Sequence, residues 1–566
     1  MSYYAIQKNI RDLFNNKIYI IPRNQRKYVW TKDNWQDLFS DILFSIENDN
    51  HHFIGSVVLL KDDSDSRLSQ YEVIDGQQRV MTLTIFMVAI LFFFRKYGMN
   101  DLFKGSKKYI VFNDDENKEH HIFNSPYQRS LSNMIDDVLK LEPKFKTTVD
   151  VFLNRNIIDE RNDKNIGNCF SFLANQIDEY CAKGKKKQKL IALKDKLLDM
   201  EFVRIDADST EDSYTIFEIL NARGQKLADY EMIKNYVMRY ITPQNKVDAM
   251  RLEWDNMEKS LGKGMKNFFK HYLIHKYALS DDDKKDAYKA LKRFVKPNDV
   301  KDAFKDIQKK SKYYSRIYNP QLEDGDGNRI CSDLEYEVFS YFKLKKQEQF
   351  RPLILSLMNV LENEEININK YNSVLIFLKN FFVCYTLIGK EKSNTLTSLI
   401  AKNAKDLENN YSEDLLTSIV ESFKSRIPSE KFFKNAFVNI GFSNHTKYYS
   451  DEKEKERAKL VLEYYEQSLT KNKNLPDFTI EHILPDSKGE ENANIGNLLP
   501  LESSLNEKCK DKKLSEKILF YKQSSFKSVQ QFAKRYESNP NLFDVEKRRT
   551  YLANEFYKLL ISSNDK

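Results

Sequence analysis

From Leu83 to Phe94 the chain is apolar at every position except Thr84, and Arg95-Lys96 close the run. A helix through such a segment is hydrophobic all round and has to be enclosed by the rest of the fold. The run is too short to cross a bilayer, for which about 20 residues are needed. It therefore predicts a buried helix at the centre of a core. At 566 residues the chain exceeds what one core holds, and two to four domains are expected. Only 15 Gly and 12 Pro stand in that length, which favours long helices over a turn-rich β architecture. Hydrophobic residues at 41% and charged residues at 31% describe a soluble globular protein.

The chain opens Met1-Ser2-Tyr3-Tyr4-Ala5-Ile6-Gln7, without a signal-peptide pattern. Five cysteines, Cys169, Cys181, Cys331, Cys384 and Cys509, are scattered singly, with no CxxC or Cys/His spacing. An odd, dispersed set argues against a disulfide framework and fits a reducing cytoplasm. No membrane association is expected. The net charge of +8 is unevenly placed, with 14 Lys/Arg against 8 Asp/Glu from Leu505 to Lys566. A basic tail suits a polyanionic partner, although solvated helix faces give the same surplus.

Three motifs lie in the N-terminal half. The first, Ile21-Pro22-Arg23-Asn24-Gln25-Arg26-Lys27-Tyr28-Val29-Trp30, reads as a short strand into a turn. A helix follows from Thr31, a good N-cap, with Trp35, Leu38 and Ile42 on one face. The second has a strand over His52–Leu60, a further strand Tyr71-Glu72-Val73-Ile74, then Asp75-Gly76-Gln77-Gln78-Arg79 and the apolar helix from Thr82. Gly76 in a strand-to-helix turn lets backbone N–H groups approach a phosphate at a helix N-terminus. Arg79 can clamp phosphate oxygens, and Asp75 can hold a metal or position water. The chain contains no GxxxxGK[ST] sequence, so this is not a Walker A loop. In the third, Val203-Arg204-Ile205 reads as a strand, and Tyr214–Leu220 as a helix ending at Asn221-Ala222-Arg223-Gly224. Taken locally, Asn221 and Arg223 read as capping and surface charge.

Near the C-terminus stand Ile480-Glu481-His482-Ile483-Leu484-Pro485, Asn494-Ile495-Gly496-Asn497-Leu498 and Ser504-Leu505-Asn506-Glu507-Lys508. A small metal-dependent nuclease needs such groups in this order. A neutral imidazole, His482, can take a proton from water. The adjacent carboxylate of Glu481 is a hard oxygen ligand suited to Mg²⁺ or Mn²⁺. Asn497 follows a Gly-containing turn and can fix the orientation of the histidine. Asn506 sits where a helix is expected to begin and offers a second neutral ligand.

This block resembles the HNH (ββα-metal) nucleases, in the EHIxP…GNL…LN form of GmrSD-type modification-dependent restriction endonucleases. The N-terminal order QRxYxW, FIGS, IDGQQR and FxxLNxRGxxL resembles the other end of the same family. The resemblance implies an α+β, multidomain protein. Its N-terminal domain would be ParB/sulfiredoxin-like with helical insertions, followed by a helical middle and a C-terminal HNH domain. It implies His482 as general base, Glu481 and Asn506 as metal ligands, and Asn497 as a structural member of the catalytic set. It implies that the DGQQR loop binds and hydrolyses nucleoside triphosphate. Asp75, Gly76, Gln77, Gln78 and Arg79 would line that site, with Asp75 in a catalytic role. Gln25, Arg26, Tyr28, Asn221, Arg223 and Lys234 would face the same cleft. GTP, UTP, ATP and CTP are not distinguished.

The expected divisions are residues 1–241, a helical linking domain over 242–427, and a nuclease domain over 428–566. From about Thr242 to about Arg426 the period is helical almost throughout, with faces such as Met250, Trp254, Met257 and Leu261. Lys108–Phe112 and His121–Phe123 read as a β-hairpin. The expected function is an NTP-regulated, divalent-metal-dependent endonuclease acting on double-stranded DNA, in particular modified phage DNA, with a homo-oligomer among the states left open. Two other functions compete. One is a nucleotide-dependent DNA-binding sensor whose nuclease is weak or lost. The other is an RNA-targeting abortive-infection nuclease.

Overall fold

The computed structural model describes residues 3–50, 52–63, 68–125, 129–149, 152–153, 164–223, 227–241, 243, 248–279, 286–389, 391, 393–445, 449–470 and 475–562; the side chains of 3, 220–223, 393, 488 and 562 are outside the description. The chain divides into two compact units, Met1–Trp254 and Asp255–Lys566.

The first unit is built on a mixed sheet of six strands. In chain order these are β1 (Tyr3–Asn9), β2 (Ile18–Ile20), β3 (Phe53–Asp62), β4 (Gln70–Asp75), β5 (Phe123–Asn124) and β6 (Glu201–Ala207). Their order across the sheet is β1-β6-β3-β4-β2-β5. β3 runs antiparallel to β4 and parallel to β6. Helix α1 (Lys32–Asn48) starts at Thr31, which forms a capping box with Asn34, and buries Trp35, Leu38 and Ile42.

Helix α2 (Gln77–Lys96) carries the apolar run, and every residue from Val80 to Phe94 is buried. It packs against α1's neighbours in the same core, including the helix Lys164–Ala182. The rings of Phe93, Phe145, Phe152 and Phe170 all meet Phe92 with centroids 4.8–5.7 Å away. Each such fully buried apolar side chain stabilises by about 1.5–3 kcal/mol.

The helix begins five residues before the expected Thr82. Gly76 turns the chain directly from β4 into α2, so Gln77 to Met81 are already helical. The hydroxyls of Thr82 and Thr84 bond back to the carbonyls of Gln78 and Val80, as interior helical threonines do. The hairpin expected around residue 115 forms between Val111–Asn113 and Glu119–His121, one step inward of the sequence reading. Phe123 instead leaves it to join the main sheet beside Tyr19.

The second unit is helical up to residue 470. It ends in a two-stranded antiparallel hairpin, β7 (Thr479–His482) with β8 (Leu498–Leu501), followed by helices α3 (Ser503–Cys509) and α4 (Leu514–Tyr521). The division into units falls at Trp254–Asp255. One apolar cluster joins Val383, Cys384 and Ile388 of the helical region to Phe433, Phe437, Leu498 and Leu499. Arg457 donates to the carbonyls of Leu387 and Ile388 across the same junction. The expected helical linker and nuclease region thus share a core and fall within one unit.

Among the described residues, two helical stretches are long and apolar enough to cross a membrane, Gln77–Lys96 and Ile368–Ile388. Their apolar windows are 94% and 72% buried inside the protein, which accounts for their composition.

Candidate active site and the Asp75–Arg79 turn

Register in the β7–β8 hairpin pairs His482 with Leu498 and Glu481 with Leu499. Alternation along a strand sends Glu481 and His482 to opposite faces. The His482 imidazole is partly exposed, and its Nε2 lies 2.7 Å from the Phe442 carbonyl oxygen. A carbonyl can only accept, so this contact assigns the proton to Nε2 and leaves the lone pair on Nδ1. The ring stacks on Phe442 at 6.0 Å. Asp486 approaches Nε2 at 3.8 Å and is itself held by the Ser443 hydroxyl at 2.8 Å.

Asn497 is wholly buried and clamps the loop that follows the histidine. Its Nδ2 donates to the carbonyls of Leu484 and Asn492, at 2.8 and 2.7 Å, and its Oδ1 accepts from the Leu484 N–H at 2.8 Å. The Ile483 N–H also donates to the Asn497 carbonyl. Backbone on both sides of Asn497 is fixed in turn by Arg548, whose Nη1 donates to Gly496 and Leu498 at 2.8 Å. Burial pulls the Arg548 guanidinium down to about 10.

Glu481 is buried at 3% exposure. Its Oε1 accepts from Lys517 Nζ and from the Tyr521 hydroxyl, both at 2.8 Å. Lys517 Nζ also donates to the His482 carbonyl at 2.6 Å, so α4 grips the strand at two consecutive residues. Burial pushes the Glu481 carboxyl above the usual range, and the Lys517 charge opposes that shift. Asn506 lies in the middle of α3, not at its start. Its Nδ2 donates to Thr479 Oγ1 at 2.7 Å and to the Ile480 carbonyl at 3.2 Å.

Thr479 and Glu481 share a strand face, so Asn506 sits on the Glu481 side of the hairpin. With its NH₂ spent on the strand, the amide oxygen of Asn506 is the atom left to meet a cation. A carboxylate and an amide oxygen are a donor set that suits a hard divalent ion. Lys517 is the competitor, since its ammonium already balances Glu481. Lys517 and Tyr521 were not anticipated in the sequence. Their signal is a lysine set among Leu514, Ile518 and Tyr521, a position on the apolar face of a helix that needs a buried partner.

In the first unit, β4 ends at Asp75 and Gly76 adopts φ +89° as the residue before α2. The two glutamines that follow are buried and tie down the 22–30 segment. Gln77 Nε2 donates to the Arg26 carbonyl at 3.1 Å, and Gln78 Nε2 to the Lys27 carbonyl at 3.2 Å. Gln78 Oε1 accepts from the Val29 N–H at 2.8 Å. Gln25 Nε2 donates to the Ile74 carbonyl at 2.6 Å, closing the same junction.

Arg79 spends Nη1 on the Ser56 carbonyl at 2.5 Å and lies 3.9 Å from Asp75. An added Cβ on Gly55 would stand 2.6 Å from that Nη1, so glycine makes room for the guanidinium. The structure thus brings Gln25, Arg26, Gln77, Gln78 and Arg79 together at one junction. Tyr28 departs from it: its hydroxyl is buried among Thr82, Trp35 and Cys169. Lys234 is buried with its ammonium 5.9 Å over the Trp254 ring, and Arg26 faces Glu231 at 3.9 Å. Asn221 and Arg223 lie in the helix Thr210–Arg223, but their side chains fall outside the described residues.

Comparison with known families agrees at both ends. Residues 10–238 match the family model "GmrSD restriction endonuclease, N-terminal domain". Residues 428–555 match "GmrSD restriction endonucleases, C-terminal domain". No curated protein matches the chain. The two matches take in most of the sequence and follow one another in the order of the sequence reading; the chain belongs to the GmrSD family of restriction endonucleases, whose substrate is DNA.

Proposed function

We propose that this restriction endonuclease is divalent-metal-dependent, regulated by nucleoside triphosphate, and directed at foreign, modified phage DNA. The observation that carries the chemistry is the His482 ring. Its Nε2–H is committed to the Phe442 carbonyl, so Nδ1 is the basic atom. In this reading Nδ1 takes a proton from water, the water oxygen bonds to phosphorus, and the bond to the leaving oxygen breaks. The leaving oxygen then takes a proton from solvent. Asn497 and Lys517 hold the strand that carries the base, the one through the loop and the other through the His482 carbonyl. Glu481 and Asn506 would hold Mg²⁺ or Mn²⁺, which supplies stabilisation of charge on the leaving oxygen. The basic C-terminal stretch would contact phosphates, with an affinity that falls as salt rises.

The Asp75–Arg79 turn, at the N-terminus of a twenty-residue helix, supports nucleotide phosphates as the regulatory ligand. His482→Ala should lower cleavage about 10²–10⁴-fold while DNA binding is retained. The assay is plasmid cleavage with Mg²⁺ or Mn²⁺, with and without NTP, on plain and modified DNA and on RNA. Cleavage by His482→Ala at the wild-type rate would sink the assignment. Cutting of RNA alone would favour the abortive-infection function, and binding without cutting would favour the sensor.

A further inference from the structure

Beside the Asp75–Arg79 turn lies a cavity of about 260 Å³. Its walls are the N-terminal half of α1, the start of β3 and the first turns of α2. Arg79 forms part of the lining, so the cavity adjoins the turn. Two aromatic side chains, Trp30 and Phe53, border it, and Phe53 is 54% exposed. An exposed aromatic ring at a cavity wall offers a stacking surface that costs nothing to uncover. Asp37 and Asp41, one helical turn apart on α1, supply carboxylate acceptors. Asp41 pairs with His52 at 3.2 Å, while Asp37 brings a second negative charge. Asn34 accepts from Thr31 through Oδ1, which leaves its NH₂ to donate.

These features select a chemistry. Two carboxylates against one guanidinium, itself within 3.9 Å of Asp75, make the cavity hostile to phosphate. The volume is below the about 300–1,000 Å³ of sites for drug-sized ligands, so a single flat ring system fits better than a whole nucleotide. Carboxylates reward ring-borne amines, which guanine, adenine and cytosine present and which uracil and thymine lack. We propose that this cavity binds an amino-bearing nucleobase, stacked against Trp30 and Phe53 with its amine on Asp37 or Asp41. The proposal rests on the reading of the first unit as a nucleotide-responsive domain and adds the base specificity of that response. The base can come from a free nucleotide whose phosphates lie outside, on the neighbouring turn, or from a nucleotide extruded from DNA.

The test uses the full chain and the double variant Asp37→Asn, Asp41→Asn. Both residues stand on the outer part of α1, and a thermal melt checks folding; Phe53→Ala, at an exposed position, is the second variant. Calorimetry compares CTP, UTP and inorganic tripolyphosphate. A parallel titration uses a duplex carrying 2-aminopurine. Binding of CTP at least about tenfold tighter than UTP, lost in the variants while tripolyphosphate affinity holds, supports the proposal with a free nucleotide as source. No nucleotide binding, but a 2-aminopurine fluorescence change that the variants lack, supports it with a DNA base as source. Equal CTP and UTP affinities, unchanged in the variants, overturn the cavity assignment and leave the nucleotide-responsive reading standing. No binding of either probe overturns both.

Discussion

Glu481 and Lys517 show how one side chain can serve two needs. The carboxylate is expected to meet a cation, yet its charge is balanced inside the protein by an ammonium at 2.8 Å, with Lys517 only 1% exposed. Removing one member of a buried pair leaves the other uncompensated and costs about 3–5 kcal/mol, whereas replacing both by apolar groups can be nearly neutral. Lys517→Met should therefore lower the melting transition of the second unit sharply, and adding Glu481→Met should recover much of the loss. Scanning calorimetry of the single and double variants reads this directly. If Lys517→Met melts like the wild type, the pair is not holding α4 to β7. Tyr521 donates to the same carboxylate oxygen, so its hydroxyl buffers the single Lys517 variant in part.

At the scale of elements, the two turns explain what a sequence can and cannot disclose. Gly76 was legible because a strand, an Asp-Gly pair and an apolar helix follow in order. Its φ of +89° and the 3.0 Å between an added Cβ and the Ser56 carbonyl oxygen show why no other residue suits the place. Gly76→Ala should destabilise the first unit by about 1–3 kcal/mol, from left-handed strain and displacement of β3. A shift in the urea midpoint of that unit measures it, and an unshifted midpoint would contradict the tight approach. The sequence reads Asn497 as a residue that can orient His482, and the structure places its amide against the backbone of Leu484, two residues beyond the histidine. Tyr28 was not legible. The resemblance puts it in a cleft with Gln25 and Arg26, whereas the structure packs Thr82, Trp35 and Cys169 around its hydroxyl in the core. Lys517 was hidden for a related reason, since it lies 36 positions from its partner and local spacing carries no trace of that contact.

At the scale of the whole molecule, the cores decide which parts stand alone. Because Val383, Cys384 and Ile388 pack with Phe433 and Phe437, a fragment of residues 428–566 lacks part of its core, while residues 255–566 retain it. The longer fragment should melt in one cooperative transition and the shorter should be unstable, as circular dichroism would show. The same helical unit carries a pH dependence. His271 is buried and His275 wholly enclosed, His271 pushed down to about 3 and His275 well below the usual value, in both cases chiefly by burial. Lys310 and Lys276 lower it further at His275, whose ring also faces the Glu408 carboxylate at 3.6 Å. Arg351 reinforces it at His271, and the Tyr314 hydroxyl, which accepts from Arg351, can donate to His271 Nδ1 only while that nitrogen is unprotonated. The sign follows from these depressed values. The unfolded chain binds protons near pH 6.5 and the folded chain does not, so the stabilisation is present above that pH and is lost as pH falls toward the folded value. For His271 alone the loss between pH 7.5 and pH 5 is about 2 kcal/mol, a slope of about one proton. His271→Gln keeps an acceptor for Tyr314 and removes the titration. It should flatten the stability profile of this unit between pH 5 and 6.5 by about 1.1 kcal/mol per pH unit on average. An unchanged slope in urea unfolding across that range would mean that His271 is charged in the folded protein.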